Sequence, residues 1–123
     1  MRVLVCGGRE YADSATLART LDALHVRYGD ALEIVHGAAR GADLMAEAWA
    51  KQNEVPYVGV PARWAKHGKG AGPERNKRML DYYQPKGVVA FPGGNGTANM
   101  IRQAKDAGLN VWEISAEQNK PKT

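Results

Sequence analysis

Apolar residues along the chain fall into five short continuous runs, separated by stretches in which they recur every three or four positions. The runs cover residues 2–6, 32–36, 55–60, 87–91 and 110–114. Each is five or six residues long and rich in valine, isoleucine or leucine, which predicts buried strands. Between the first two, Leu17, Leu21, Leu24 and Tyr28 stand at i, i+4, i+7 and i+11, one face of a helix. Asp13 or Ser14 can cap its start, and Gly29 suits its end. Asp43 can cap a second helix, on which Met45 and Trp49 share a stripe. Pro73 fits the first turn of a third, whose Asn76, Met79, Leu80 and Tyr83 form the inward stripe. A fourth is predicted over 97–107, with Thr97, Met100, Ile101 and Ala104 on its apolar face and Gly108 as its stop. Residues 62–72, rich in Gly and Lys, read as a long loop.

Short apolar strands alternating with amphipathic helices predict a parallel sheet covered on both faces. Right-handed crossovers then give an α/β architecture, a Rossmann-like doubly wound five-stranded parallel sheet in the order 3-2-1-4-5. A single domain is expected over residues 1–115, with a polar tail over 116–123. The 123 residues are enough for one core without covalent staples, and the lone Cys6 excludes an internal disulfide. No apolar run approaches the roughly 18 residues of a membrane span, and the first residues do not resemble a signal peptide. A cytoplasmic protein with no membrane partner is expected. Three histidines and no C-x-x-C give no metal cluster, and no cofactor is implied.

Ligands of open parallel sheets bind beyond the carboxyl ends of the strands, near the switch in strand order. The turns expected there carry Gly7 and Gly8, Gly37 and Gly41, and Gly93, Gly94 and Gly96, seven of the 14 glycines of the chain. Glycine lets backbone N–H groups approach an anion closely, and a following helix adds its positive end. Pro92 and Asn95 complete the third turn, and Thr97 can cap the helix or donate to a phosphate oxygen. Arg9 and Arg40 follow glycines, where a guanidinium can clamp a phosphate bidentately. The net charge of +4 is local: residues 61–80 hold Arg63, Lys66, Lys69, Arg75, Lys77 and Arg78 against Glu74, a net +5 that leaves −1 for the rest. Such a patch points to a phosphate-bearing ligand. The glycines match neither a Walker A sequence nor G-x-G-x-x-G, which disfavours a P-loop NTPase and an ordinary dinucleotide dehydrogenase.

Other side chains keep two readings. Trp64 and Tyr11 can stack on a base or simply pack. Asn76 needs a partner for its amide, either ligand or loop backbone. Cys6 reads as a small buried residue, His36 as a hydrogen-bonded structural histidine, Glu47 as exposed, and Glu74 as a helix-start acid. Asp43 can cap its helix or reach a ribose hydroxyl.

Five segments, taken together, resemble a known family. CGGREY at 6–11, GAARGAD at 37–43, WAKHG at 64–68, AGPERNKRM at 71–79 and PGGNGT at 92–97 are similar to the motifs of the YspA/YpsA-related SLOG family. The superfamily includes the Lonely-guy phosphoribohydrolases and the DNA-processing protein DprA. The resemblance implies that Gly93, Gly94, Gly96 and Thr97 form a phosphate-binding turn, and that Arg75 lies across a ribose. Lonely-guy enzymes follow this turn with paired glutamates, whereas Asn99 and Met100 stand here, so the carboxylate of that mechanism is missing. The leading expectation is a sensor or carrier for a nucleoside phosphate or ADP-ribose-like molecule. The set expected to bind it is Gly7, Gly8, Arg9, Gly37, Arg40, Gly41, Asp43, Arg75, Asn76, Pro92, Gly93, Gly94, Asn95, Gly96 and Thr97. A second is a nucleoside 5′-monophosphate glycosidase or transferase using Arg75 with Asp43 or Glu74 as its catalytic groups. A third is DprA-like binding of single-stranded nucleic acid. The superfamily also implies a homo-oligomer.

Overall fold

The computed structural model describes residues 1–115; the tail expected over 116–123 lies outside the described residues. Five strands, β1 (Arg2–Cys6), β2 (Glu33–His36), β3 (Tyr57–Gly59), β4 (Gly87–Ala90) and β5 (Asn110–Glu113), form one sheet. Every pairing is parallel and the order is β3-β2-β1-β4-β5, as the pattern predicts. Five helices connect them: α1 (Ser14–Tyr28), α2 (Ala42–Gln52), α3 (Trp64–His67), α4 (Ala71–Tyr83) and α5 (Asn95–Asp106).

The alternation of side chains along β1 divides the core into two layers. Val3 and Val5 join Ile34, Leu17, Leu21 and Trp49 on the α1–α2 side, and Leu4 and Cys6 join Val35, Val88, Met79 and Met100 on the α4–α5 side. Each such fully buried aliphatic side chain contributes about 1.5–3 kcal/mol relative to exposure, which commits β1 to the centre of the sheet. The register brings the strand ends level, since Val5 pairs with His36, Cys6 with Ala90 and His36 with Gly59. The turns after β1, β2 and β4 therefore leave the sheet at one edge.

Asp13 caps α1 as expected, accepting the Thr16 backbone N–H at 3.1 Å and its hydroxyl at 2.8 Å, and Gly29 ends the helix at φ +56°. Several boundaries differ from the sequence reading. Gly41, not Asp43, caps α2, because the Asp43 carboxylate turns back to the preceding loop. β3 is shorter than 55–60 because the Val55 N–H bonds back to Ala50 at 2.8 Å, off the end of α2. The 62–72 loop contains α3 and a 3₁₀ turn at Gly68–Gly70. α5 begins two residues before Thr97, so the glycine turn winds directly into the helix.

Candidate functional site

The three glycine-bearing turns meet, and backbone contacts hold them together. The Gly8 N–H donates to the Pro92 carbonyl at 2.9 Å, and the Gly8 carbonyl accepts from Tyr11 and Ala42, each at 3.2 Å. A Cβ on Gly41 would lie 2.2 Å from the Gly8 oxygen, and one on Gly93 would lie 2.6 Å from the Gly8 nitrogen. Gly7 is closed in by the Cβ atoms of Ala42 and Phe91. These glycines build the rim by close approach. Gly94 and Gly96 differ: nothing lies within 4 Å of where their Cβ atoms would be. They are the open part of the turn, at the start of a twelve-residue helix that has no side-chain cap.

The first turns of α4 tie the second and third corners to each other. Arg75 Nη1 donates to the Gly37 carbonyl at 2.5 Å, and its Nε donates to Asn76 Oδ1 at 3.0 Å. Asn76 Nδ2 in turn donates to the Gly96 carbonyl at 3.3 Å and to Asn99 Oδ1 at 3.0 Å. Asn99 also accepts from Gln103 at 2.7 Å. The inward amide thus finds its partners in the first turn of α5 and in two side chains, rather than in loop backbone. Asn99 instead joins a neutral hydrogen-bond chain, a role its sequence position alone does not reveal. Met100 is 1% exposed and belongs to the core, as its stripe predicts.

Between these turns lies a cleft of about 570 Å³. Gly7, Gly8, Arg9, Asp43, Arg75, Asn76, Gly94, Asn95, Gly96 and Thr97 line it. Gly37 and Arg40 line an adjoining hollow of about 370 Å³ that shares Arg9, Trp64 and Arg75 with the cleft. Pro92 and Gly93 line a neighbouring depression beside Tyr11 that shares Gly8, Arg9, Glu10 and Gly94 with the cleft. Gly41 lines none of the three and lies packed against Gly8 and Arg9. Trp64 is the aromatic side chain of the cleft, half-exposed, with the Arg9 guanidinium 5.5 Å from its ring centre. Tyr11 packs on Phe91, with ring centres 5.2 Å apart.

The basic segment is divided in its use. Of its six cations, Arg75 and Lys69 line the cleft. Arg78 pairs with Glu74 at 2.8 Å, and Lys77 with Asp81 at 2.6 Å, along α4. Arg40 pairs with Glu10 at the surface, where such a pair is worth little. Glu47 departs from its expected exposure: its carboxylate meets His36 Nε2 at 3.0 Å and Lys51 at 3.3 Å. His36 Nδ1 accepts the Ala38 N–H at 3.0 Å, which fixes the proton on Nε2 and shapes the second turn. Burial holds the His36 pKa below its ordinary value and pushes the Cys6 thiol up to about 12, so the thiol stays protonated.

Asp43 is the buried acid of the site, 6% exposed. Its Oδ2 accepts N–H bonds from Gly37 at 3.0 Å and Ala39 at 3.3 Å. Burial raises its pKa from 3.8 to about 6, against the opposing pull of those two donors, Arg75 and Arg9. The folded chain therefore holds this proton to higher pH than the unfolded chain does. The associated stability is fully present below about pH 4 and is lost as pH rises through about 6. Asp43→Asn removes this dependence. The difference in unfolding free energy between wild type and variant is expected to change by about 3 kcal/mol at most across that window. Urea titrations from pH 3.5 to 7 check it; a difference that is flat with pH excludes the burial effect.

A profile of the YspA, cpYpsA-related SLOG family matches residues 1–67, more than half of the chain. The Gene 61 protein of Mycobacterium phage D29 is 39% identical over 118 residues, covering 89% of this chain and 93% of that protein. Among solved structures, DNA processing protein A (DprA) from Streptococcus pneumoniae superposes with a TM-score of 0.76 at 20% identity. That match covers 94% of this chain but half of DprA, so it speaks for a common fold.

Proposed function

The chain belongs to the YspA, cpYpsA-related SLOG family, and from that premise we propose that its cleft binds a nucleotide-derived ligand, a nucleoside phosphate or an ADP-ribose-like molecule, as a sensor or carrier. Membership supports a nucleotide-related role at the level of the family. The observation that carries the reading is the open Gly94–Gly96 backbone at the uncapped start of α5, sharing one cleft with Arg75, Lys69 and Trp64. Free amide N–H groups and a helix start favour a phosphate, a guanidinium and an ammonium neutralise it, and an indole offers a face to a base. Isothermal titration against AMP, ADP-ribose, NAD and cyclic dinucleotides tests this. Submillimolar binding of at least one is expected, with adenosine weaker than AMP. Failure of the whole panel on folded protein removes the proposal.

Base release is the second reading, favoured by one observation: Asp43 and Arg75 both line the cleft, each within 3 Å of a Cβ placed on Gly37. Asn99 and Met100 supply no carboxylate, Glu74 is engaged by Arg78, and Glu10, which also lines the cleft, is paired with Arg40 at the surface, which leaves Asp43 as the buried acid that would serve. Chromatography for free base after incubation with nucleoside monophosphates separates an enzyme from a carrier.

A further inference from the structure

One oxygen of the cleft is unexplained by the protein itself. Asp43 Oδ2 is saturated by two backbone N–H groups, while Oδ1 is buried and has no hydrogen-bond partner. A buried acceptor left without a donor destabilises a fold, more so when charged, so such atoms call for an account. The fold has a donor-rich neighbour nearby in Arg75, yet commits two of its N–H groups to Gly37 and Asn76 instead. Asp43 is held in this posture by the turn it braces, with Oδ1 left over in a residue that lines the cleft.

We propose that Asp43 Oδ1 accepts a hydrogen bond from a sugar hydroxyl of the bound nucleotide, which makes the cleft selective for ribonucleotides over deoxyribonucleotides. The inference rests on the nucleotide reading above and adds which sugar the ligand carries. A carboxylate oxygen takes donors only, so a phosphate is repelled from it and belongs at the Gly94–Gly96 backbone. In a nucleotide the remaining donors are the sugar hydroxyls and, on some bases, an exocyclic amine or a ring imino N–H. The base has its stacking surface at Trp64, which is half-exposed, whereas Asp43 is buried between the first two turns. The sugar, joined to both phosphate and base, is the part that reaches the orphan oxygen. An acceptor built for a hydroxyl discriminates strongly, because the analogue lacking it leaves the buried group unpaired again.

Calorimetric titration of the full chain with AMP, GMP and their 2′-deoxy and 3′-deoxy analogues tests the assignment. Wild type is expected to bind the ribonucleotide at least about tenfold more tightly than one of the two deoxy forms, the scale of a hydrogen bond to a charged group. In Asp43→Ala, which offers the sugar no polar atom, that ratio should collapse to within about threefold. The wild-type comparison needs no variant, so a poorly folding Asp43→Ala leaves the test intact. Equal binding of all sugars by wild type overturns the assignment while leaving nucleotide binding standing. So does a preference that survives undiminished in folded Asp43→Ala, or one matched by a change of a base N–H donor instead. Absence of binding by every nucleotide overturns both readings together.

Discussion

Gly41→Ala is expected to lower the thermal midpoint by roughly 15 °C, the largest effect of any single methyl group added at the rim. Two costs combine. Gly41 sits at φ +82°, ψ −129°, a region essentially closed to residues with a Cβ, which costs about 1–3 kcal/mol. The new Cβ would also stand 2.2 Å from the Gly8 carbonyl oxygen and 2.7 Å from the Arg9 carbonyl carbon. Both are backbone atoms, so neither can swing away, and overpacking of this kind costs a further 1–3 kcal/mol or so. A loss of about 4 kcal/mol is a large share of the 5–15 kcal/mol typical of a domain. At about 4 °C per kcal/mol it gives the stated shift. Gly68→Ala is the comparison: its φ is also positive, at +54°, but nothing lies within 4 Å, so only the dihedral cost remains. Gly94→Ala, with neither constraint, should melt within a few degrees of wild type. If Gly41→Ala and Gly68→Ala melt together, the first two turns are not held by the contact described.

Those contrasts among glycines mark the limit of what the chain reveals before folding. The strand runs and helical stripes reveal the elements and their buried faces because periodicity is a local property that the core rewards: Leu4 and Cys6 go to one face, Val3 and Val5 to the other, and the hand of the crossovers then orders the sheet. A four-residue helix such as α3 shows no stripe, so Trp64–His67 reads as loop until tertiary contacts define it. The seven turn glycines look alike in the sequence. Folding separates those that allow backbone to touch backbone, Gly8, Gly41 and Gly93, from those left facing the cleft, Gly94 and Gly96. Asp43 shows the same limit. An acid two places past a glycine reads as a helix cap, and only the return of the second turn over it reveals that it serves Gly37 and Ala39. The basic segment likewise reads as one patch, yet the helical spacing of Lys77 with Asp81 and Arg78 with Glu74 spends part of it along α4.

Arg75→Ala is expected to weaken binding of a nucleoside monophosphate by about 100-fold. Guanidinium has five N–H donors, and the protein engages Arg75 through Nη1 to Gly37 and Nε to Asn76, leaving three for an anion in the cleft. A forked pair of charge-assisted hydrogen bonds to phosphate is worth about 3 kcal/mol, which is the stated factor. Burial lowers the pKa of Arg75, and the Asp43 carboxylate opposes that, so the cation is partly desolvated and its attraction for a second anion is less screened than at the open surface. Arg75→Lys keeps a charge but offers one nitrogen, which cannot reach the Gly37 carbonyl, Asn76 and a ligand at once. A loss of about tenfold or more is expected there. Lys77→Ala, on an exposed residue paired with Asp81, should bind within about twofold of wild type. Calorimetry on all three, each first checked by circular dichroism, reads the result. Binding by Arg75→Ala within threefold of wild type would mean that the guanidinium only staples α4 to the second turn, and that the anion is held by the Gly94–Gly96 backbone alone.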